Sequence, residues 1–468
     1  MRHPGLEAAV RMMREAGVSE QAVAVFATYH AQLQSGQTGT IPEASILPLT
    51  DVPELGEVTA SDEDRRAALA RTAVLKLNGG LGTSMGMTGP KSLVPVRDGH
   101  TFLDIVAKQV TSLRARYDVE LPLLFMHSFS TRAASLEALA AHPEIAVDGI
   151  PLDIVQNREP KLTVDDLAPV RWPPNPELEW CPPGHGDVYV SLLTSGVLDL
   201  LRERGFETLF LSNIDNLGAT CDPDIAAWMH AERIPYAAEV CARTHNDRKG
   251  GHLAVRKSDG RLVLRDNGAV DPGEMEFFQD TELHTTFHTN NLWISVERLH
   301  EQLTSTGGVL GLPMIANHKT VDPTDRTSPE VIQIESAMGA AIEVFEGAQA
   351  IAVPRTRFRP VKTTNELLLL RSDIYELTDA FELVSRIARE DPYVDLGPTY
   401  AHIGDFSRHF GQGVPSIRDC TSLRVRGQLT FGAGVRCVGD VDIVAEHPAD
   451  VPDGAVLVGS GADVIEPR

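Results

Sequence analysis

Between Thr72 and Ser92 an apolar strand runs without a break into a long glycine-rich loop that stops at one lysine, TAVLKLNGGLGTSMGMTGPKS. A junction of this kind restricts the chain to an α/β sheet that carries its ligand at the carboxyl ends of the strands. Gly79, Gly80, Gly82, Gly86 and Gly89 permit positive φ and close approach of backbone to ligand. Consecutive amide N–H groups in such a loop form a concave donor surface for phosphate oxygens. Lys91 adds a cation where that surface ends.

The two common phosphate loops do not fit. A P-loop places glycine directly before Lys-Ser/Thr, whereas Pro90 separates Gly89 from Lys91. A dinucleotide fingerprint starting at Gly80 and Gly82 requires glycine at position 85, where the chain has Met85. The following helix also begins late. Thr101-Phe102-Leu103-Asp104 reads as its capping box, with Phe102, Ile105, Val106, Val110 and Leu113 as one apolar face. The loop is about twice the length of a Rossmann turn, enough to wrap a nucleoside triphosphate.

A chain of 468 residues implies two or three domains. Its net charge of −23 argues against nucleic acid and anionic membranes as partners. An anionic nucleotide would then need local lysines and a cation. The five cysteines, Cys181, Cys221, Cys241, Cys420 and Cys437, include no CxxC pair. This usage suits a reducing cytoplasm better than a disulfide framework or a zinc site. The N-terminus lacks the apolar core of a signal peptide, and no run reaches the length of a membrane span. The expected protein is soluble and cytoplasmic.

Residues from Leu6 to about Gln34 read as helix stopping at Gly36, and Thr40 to Gly56 as a wrapping linker. Beyond Ala73, the segments VLKLN, LPLLFM, LDIV, TLFLSN, YAAEVC and LAVRK are strand candidates alternating with helical stretches. The proline clusters around Trp172 and Cys181 are loops near the ligand. Near the C-terminus Leu423, Leu429, Val435 and Val441 recur every sixth residue, as do Val425, Phe431, Cys437 and Ile443, with small residues at Gly427, Ala433, Gly439 and Ala445. A six-residue period favours a β-helix over a plain β-meander. The expected division is 1–65, an N-terminal helical extension and linker; 66–385, a catalytic domain; and 386–468, a β-helix domain. Exposed edges of such a domain pair readily with another protomer, so homo-oligomerisation through it is an open expectation.

Four segments carry further chemistry. The strand Leu209–Asp215 ends in a carboxylate flanked by Asn213 and Asn216, readable as a cap or as a Mg²⁺ ligand. Arg357, Arg359 and Lys362 gather in RFRPVKTT, readable as an anion site or as a solvated basic turn. His185 lies between Gly184 and Gly186 and suits a phosphate or ribose contact with charge responsive near neutral pH. Gln156, after a strand, has an amide able to meet both a donor and an acceptor of a base.

LNGGLGTSMGMTGPKS resembles the signature of the eukaryotic-type UTP–glucose-1-phosphate uridylyltransferases (UDP-glucose pyrophosphorylases). The resemblance continues in order through MHSFST (Met126 to Thr131), PPGHGD (Pro182 to Asp187), SNIDNLGAT (Ser212 to Thr220), TNNLWI (Thr289 to Ile294) and RFRPVKTTNELLLL (Arg357 to Leu370). The related N-acetylhexosamine pyrophosphorylases usually carry an arginine where this chain has Ser84-Met85. The resemblance implies a Rossmann-like nucleotidyltransferase (GT-A-like) mixed sheet closed by a C-terminal left-handed β-helix. It implies UTP and glucose-1-phosphate as substrates, and UDP-glucose and pyrophosphate as products, with Mg²⁺ as cofactor. It places Lys91 and Lys362 on phosphates, Asp215 on Mg²⁺, and Gln156 with the backbone of Leu81, Gly82 and Gly184 on uracil. Asn213, Gly251 and Asn290 fall on the hexose. Similar proteins usually show Glu-x-x-Gln where this chain has Asp266 and Ala269, which bears on which hexose is accepted. The alternatives are a uridylyltransferase for galactose-1-phosphate or an N-acetylhexosamine-1-phosphate, and a non-catalytic nucleotide-sugar binding protein.

Overall fold

The computed structural model describes residues 3–37, 39–244, 247 and 250–464. The N-terminal stretch expected as one helix is two, α1 (Pro4–Glu15) and α2 (Glu20–Gln34). Gly17 between them takes φ +75°, a left-handed conformation that stops α1. Ser19 then caps α2, its hydroxyl accepting the Ala22 amide at 3.2 Å. Ala9, Met13, Val23, Phe26 and Tyr29 of the pair pack on Met314, Ile332 and Ile334, which belong to the hairpin of Met314–Thr320 and Glu330–Ser336. The linker is partly regular. Ile46–Pro48 is a strand paired antiparallel with His252–Arg256, the LAVRK segment, outside the central sheet.

The central sheet holds β1 (Thr72–Asn78), β2 (Leu123–His127), β3 (Asp153–Val155), β4 (Thr208–Asn213), β5 (Tyr236–Ala242), β6 (Thr286–Ser295) and β7 (Gln349–Ala352). Their spatial order is β7-β5-β6-β4-β1-β2-β3. β4, β1, β2 and β3 run parallel, as do β5 and β7. β6 lies antiparallel between β4 and β5, so the sheet is mixed. Every residue of β1 is buried because both faces are covered. Val74, Phe125 and Phe210 enter one apolar cluster, while Leu75, Leu124 and Leu211 enter another.

On the first face α3 (Phe102–Tyr117) starts where its capping box placed it. The Thr101 hydroxyl accepts the Asp104 amide at 3.2 Å and the Asp104 carboxylate accepts the Thr101 amide at 2.8 Å. The same cluster continues without a break into the C-terminal strands. These are β8 (Tyr393–Asp395), β9 (Ser416–Arg426), β10 (Leu429–Phe431), β11 (Arg436–Val444), β12 (Ala449–Val451) and β13 (Val456–Val464). They form two parallel sheets, β8-β9-β11-β13 and β10-β12. Parallel pairing excludes the antiparallel meander. The residues of the six-residue period, Leu423, Leu429, Val435 and Val441 with Val425, Phe431, Cys437 and Ile443, are all buried. All five cysteines are buried free thiols. Among the described residues, no helix is long and apolar enough to cross a membrane.

Candidate active site

Because β1, β3 and β4 are parallel, their carboxyl ends share one edge, and each delivers a site segment there. β1 feeds the glycine loop, β3 feeds Gln156 and β4 feeds Asp215. The loop is more structured than its composition implies. It contains two 3₁₀ turns, Thr83–Met85 and Lys91–Leu93. The amides of Met85 and Met87 donate to the Gly82 carbonyl at 2.9 and 3.0 Å, and that of Lys91 to Gly80 at 3.2 Å. Several amides expected to face phosphate are therefore engaged inside the loop. Gly86 alone of the five glycines takes positive φ, +68°. A Cβ there would also meet the His402 ring at 2.7 Å. At Gly79 the constraint is space. A Cβ would lie 2.9 Å from Gln156 Oε1, so the missing side chain admits the carboxamide beside the loop.

The structure brings Lys91 and Asp215 together. Lys91 Nζ lies 2.5 Å from Asp215 Oδ2, both side chains mostly buried. Lys362 reaches the same place by its backbone. Its carbonyl accepts the Ser84 hydroxyl at 2.8 Å, while the Val361 amide donates to the Asp215 carbonyl at 3.2 Å. The Lys362 side chain is exposed.

Arg357 and Arg359 do not join it, because both are engaged by carboxylates, so of the three basic residues of that loop Lys362 alone keeps an exposed side chain. Arg357 is buried and doubly bonded to Glu239, with Nη2 to Oε1 at 2.6 Å and Nε to Oε2 at 2.8 Å. Arg359 pairs with Asp391 at 2.5 Å and lies over the Tyr375 ring. The cause is Glu239, a fully buried carboxylate in β5 that needs a cation and several donors. Besides Arg357 it accepts Asn291 Nδ2 at 2.9 Å and Trp293 Nε1 at 2.9 Å. A register shift between Ala238 and Val240 in the β5–β6 ladder brings the TNN segment against it.

Asn216 ties this network to the site. Its Nδ2 donates to Asn291 Oδ1 at 3.3 Å and to the Arg357 carbonyl at 3.1 Å, and its Oδ1 accepts the Arg359 amide at 2.7 Å. The loop of Asp215 is held from below as well. Lys76, fully buried in β1, donates to Ser212 Oγ and to the Ala219 carbonyl, both at 2.6 Å. Burial pushes its ammonium down to about 7. The two acceptors match the two N–H groups of a neutral amine.

Gln156 follows β3, with its amide on the His127 carbonyl at 2.8 Å. The next residue is clamped to the PPGHGD turn, where Asp187 Oδ2 accepts the Asn157 amide at 2.6 Å. Burial raises the Asp187 carboxyl to about 6 against the bonds from Asn157 and Ser191. Gly184 takes φ +79° and lies against Ser336, leaving no room for a Cβ. His185 Nδ1 accepts the Met338 amide at 2.9 Å, and burial lowers its pKa. An Nδ1 that accepts an amide carries no proton, so the ring's proton stands on Nε2, and burial disfavours the charged form.

Of the residues expected at the hexose, Asn213 ends β4, and Asn290 sits on the irregular stretch of β6 with φ +60°, an uncommon conformation outside glycine that favours Asn. The Gly251 carbonyl accepts the His288 amide at 3.0 Å. Asp266 lies against Gly251, its Cγ 3.4 Å from where a Cβ would stand. Its Oδ1 caps its own turn through the Asn267 amide at 2.7 Å. Ala269 meets Ile41 through its carbonyl at 2.8 Å. Sequence reading missed Glu239, Lys76, the structural part of Asn216, and the Asp187 clamp. A charged residue inside an otherwise apolar strand was the available signal for the first two.

Comparison with known proteins agrees with this geometry. The family described as UTP–glucose-1-phosphate uridylyltransferase matches residues 23–437. A UTP–glucose-1-phosphate uridylyltransferase of Solanum tuberosum is 37% identical over 451 residues, covering 94% of this chain and 92% of that protein. The UDP-glucose pyrophosphorylase of Leishmania major, solved in open and closed structures, is 41% identical with a TM-score of 0.93 over 99% of this chain and 100% of that one. A variant of that enzyme solved with UDP-glucose gives 41% and 0.92, with the same coverage.

Proposed function

The chain belongs to the UTP–glucose-1-phosphate uridylyltransferase family, and from that premise we propose that it makes UDP-glucose and pyrophosphate from UTP and glucose-1-phosphate. The observation that carries this reading is the meeting of Lys91 and Asp215 at 2.5 Å, with the Lys362 loop fastened to Ser84 beside them. The sugar phosphate is an ionised nucleophile, so the site must align it with the α-phosphate and neutralise growing charge, and needs no general base. Since Arg357 and Arg359 are taken up by Glu239 and Asp391, that task falls to Lys91, which pairs with the site's own Asp215, and to Lys362. Gln156 reads uracil beside Gly79, with backbone groups of Leu81, Gly82 and Gly184. His185 offers an Nε2–H to ribose or phosphate. Asn213, Gly251 and Asn290 meet the hexose, with Asp266 at its margin.

Asp215 is the residue for Mg²⁺. It is one partly exposed carboxylate at a strand end, and no group of three or more His, Cys, Asp or Glu that could hold a metal gathers among the described residues. That donor set fits magnesium, which takes few protein carboxylates and keeps its waters. When bound, Mg²⁺ supplies Lewis-acid neutralisation of phosphate charge.

We read the central sheet as a GT-A-like, Rossmann-like nucleotidyltransferase domain over 66–385, preceded by the extension 1–65. The C-terminal strands of 386–468 are read as a left-handed β-helix. The pairing of Leu423 with Val441, three six-residue units apart, supports this coil. Exposed Val456 and Val458 on β13 support self-association through it, and the buried free thiols support a cytoplasmic location. The test is pyrophosphate release from UTP and Mg²⁺ with glucose-, galactose- and N-acetylglucosamine-1-phosphate. Glucose-1-phosphate should be fastest. A faster rival would move the assignment to that sugar, and UDP-glucose binding without pyrophosphate release from any of the three would make the chain a binding protein.

A further inference from the structure

Lys91 and Asp215 are each other's counter-ions, 15% and 17% exposed. A carboxylate oxygen 2.5 Å from an ammonium cannot also take a divalent cation there without setting two cations a few ångströms apart. In a partly desolvated site that repulsion is large. The two partners are not equally free to leave. Asp215 is fixed through its carbonyl to Val361 at 3.2 Å, and its neighbour Asn216 is bonded on both sides of its amide. Apart from that ion pair, Lys91 is held among the described residues at its backbone, in a 3₁₀ turn with its amide on Gly80 at 3.2 Å. Its four-carbon stem can turn, and the loop beside it is open at Gly80 and Gly89, where a Cβ would meet nothing within 4 Å.

We propose that Lys91 and a divalent cation compete for Asp215. The metal alone then binds the free protein weakly, and takes hold when nucleotide phosphates draw Lys91 away along the loop. Binding order is thereby written into one ion pair. The inference rests on the reading of Asp215 as the metal ligand.

The experiment measures Mn²⁺ binding to nucleotide-free protein by electron paramagnetic resonance, with circular dichroism confirming the fold of each variant. Lys91→Met, which removes the charge and adds no donor oxygen, should bind Mn²⁺ at least about tenfold more tightly than wild type. Lys91→Arg, which keeps the charge, should match wild type. Adding Asp215→Asn to Lys91→Met should abolish the gain. Equal affinity in wild type and Lys91→Met, with loss of Mn²⁺ from the UTP complex in Asp215→Asn, overturns the competition and leaves Asp215 as the ligand. Undiminished Mn²⁺ binding by the UTP complex in Asp215→Asn overturns the ligand assignment itself.

Discussion

The glycine loop and the Arg357–Lys362 loop meet over Asp215, yet they are held there by opposite means. The first is held by backbone and by the absence of side chains. Its 3₁₀ turns close on their own carbonyls, Gly86 lies under His402 and Gly79 beside Gln156. The second is held by charge below it, where Arg357, Glu239, Asn291, Trp293 and Asn216 form one buried network. Each loop ends in a lysine, whereas the two arginines are structural. Glu239 and Asp391 hold the two arginines, whereas Lys91 pairs with the carboxylate of the site itself and Lys362 carries its side chain into solvent.

The largest expected effect tests the charged support. Arg357→Ala leaves Glu239 buried without its cation and should cost about 3–5 kcal/mol in denaturant unfolding; stability equal to wild type would break the contrast between the loops. Lys362→Ala should do the reverse. Its exposed side chain holds nothing together, so the melting temperature should stay put while turnover falls about 10²–10³-fold. Gly86→Ala probes the backbone-held loop. Positive φ and the His402 ring together should lower stability by about 1–3 kcal/mol, whereas Gly89→Ala, with open space and no positive φ, should leave it unchanged in thermal unfolding.

The last effect is a slope spread over several pH units. Burial lowers the Lys76 ammonium from 10.5 to about 7. Between those values the unfolded chain binds a proton that the folded one does not, so stability rises with pH through that window. Below about 7 both states are charged, so the slope vanishes and the full cost of the buried charge remains. Wild type should therefore gain up to about 1.4 kcal/mol per pH unit relative to Lys76→Met between roughly pH 7 and 10. Parallel stability–pH curves for the two proteins would contradict a neutral buried lysine.

How much of this was legible in the sequence differs by kind of residue. Strands such as Val74–Asn78 and Thr208–Asn213, and the Thr101–Asp104 cap, follow from local pattern and stand where the pattern puts them. Gly17 was a stop signal inside a helical stretch that the apolar periodicity concealed. Ile46–Pro48 lacks strand pattern of its own and is ordered by its partner across the chain. The convergence of Lys91 with Asp215 depends on crossovers between β1 and β4, which no local window contains; the resemblance supplied it. Arg357 was misread because its partner Glu239 lies 118 residues away. A lone Glu in YAAEVC, like the Lys in VLKLN, demands a buried partner of opposite or neutral character, and asking for it would have reassigned that arginine.

The antiparallel β6 has a consequence for how the chain is made. It fills the place between β4 and β5 although both are synthesised well before it. A nascent chain that ends before Thr286 therefore has the four parallel strands β4-β1-β2-β3 and, apart from them, β5 without either neighbour, with unpaired edges and apolar faces uncovered. The strand that joins them also brings Asn291 and Trp293, two neutral donors for the buried Glu239, while the cation, Arg357, and the edge strand β7 arrive later still. Until β6 and the Arg357–Lys362 loop have both emerged, the growing chain has open strand edges, an unpaired buried carboxylate and no complete site.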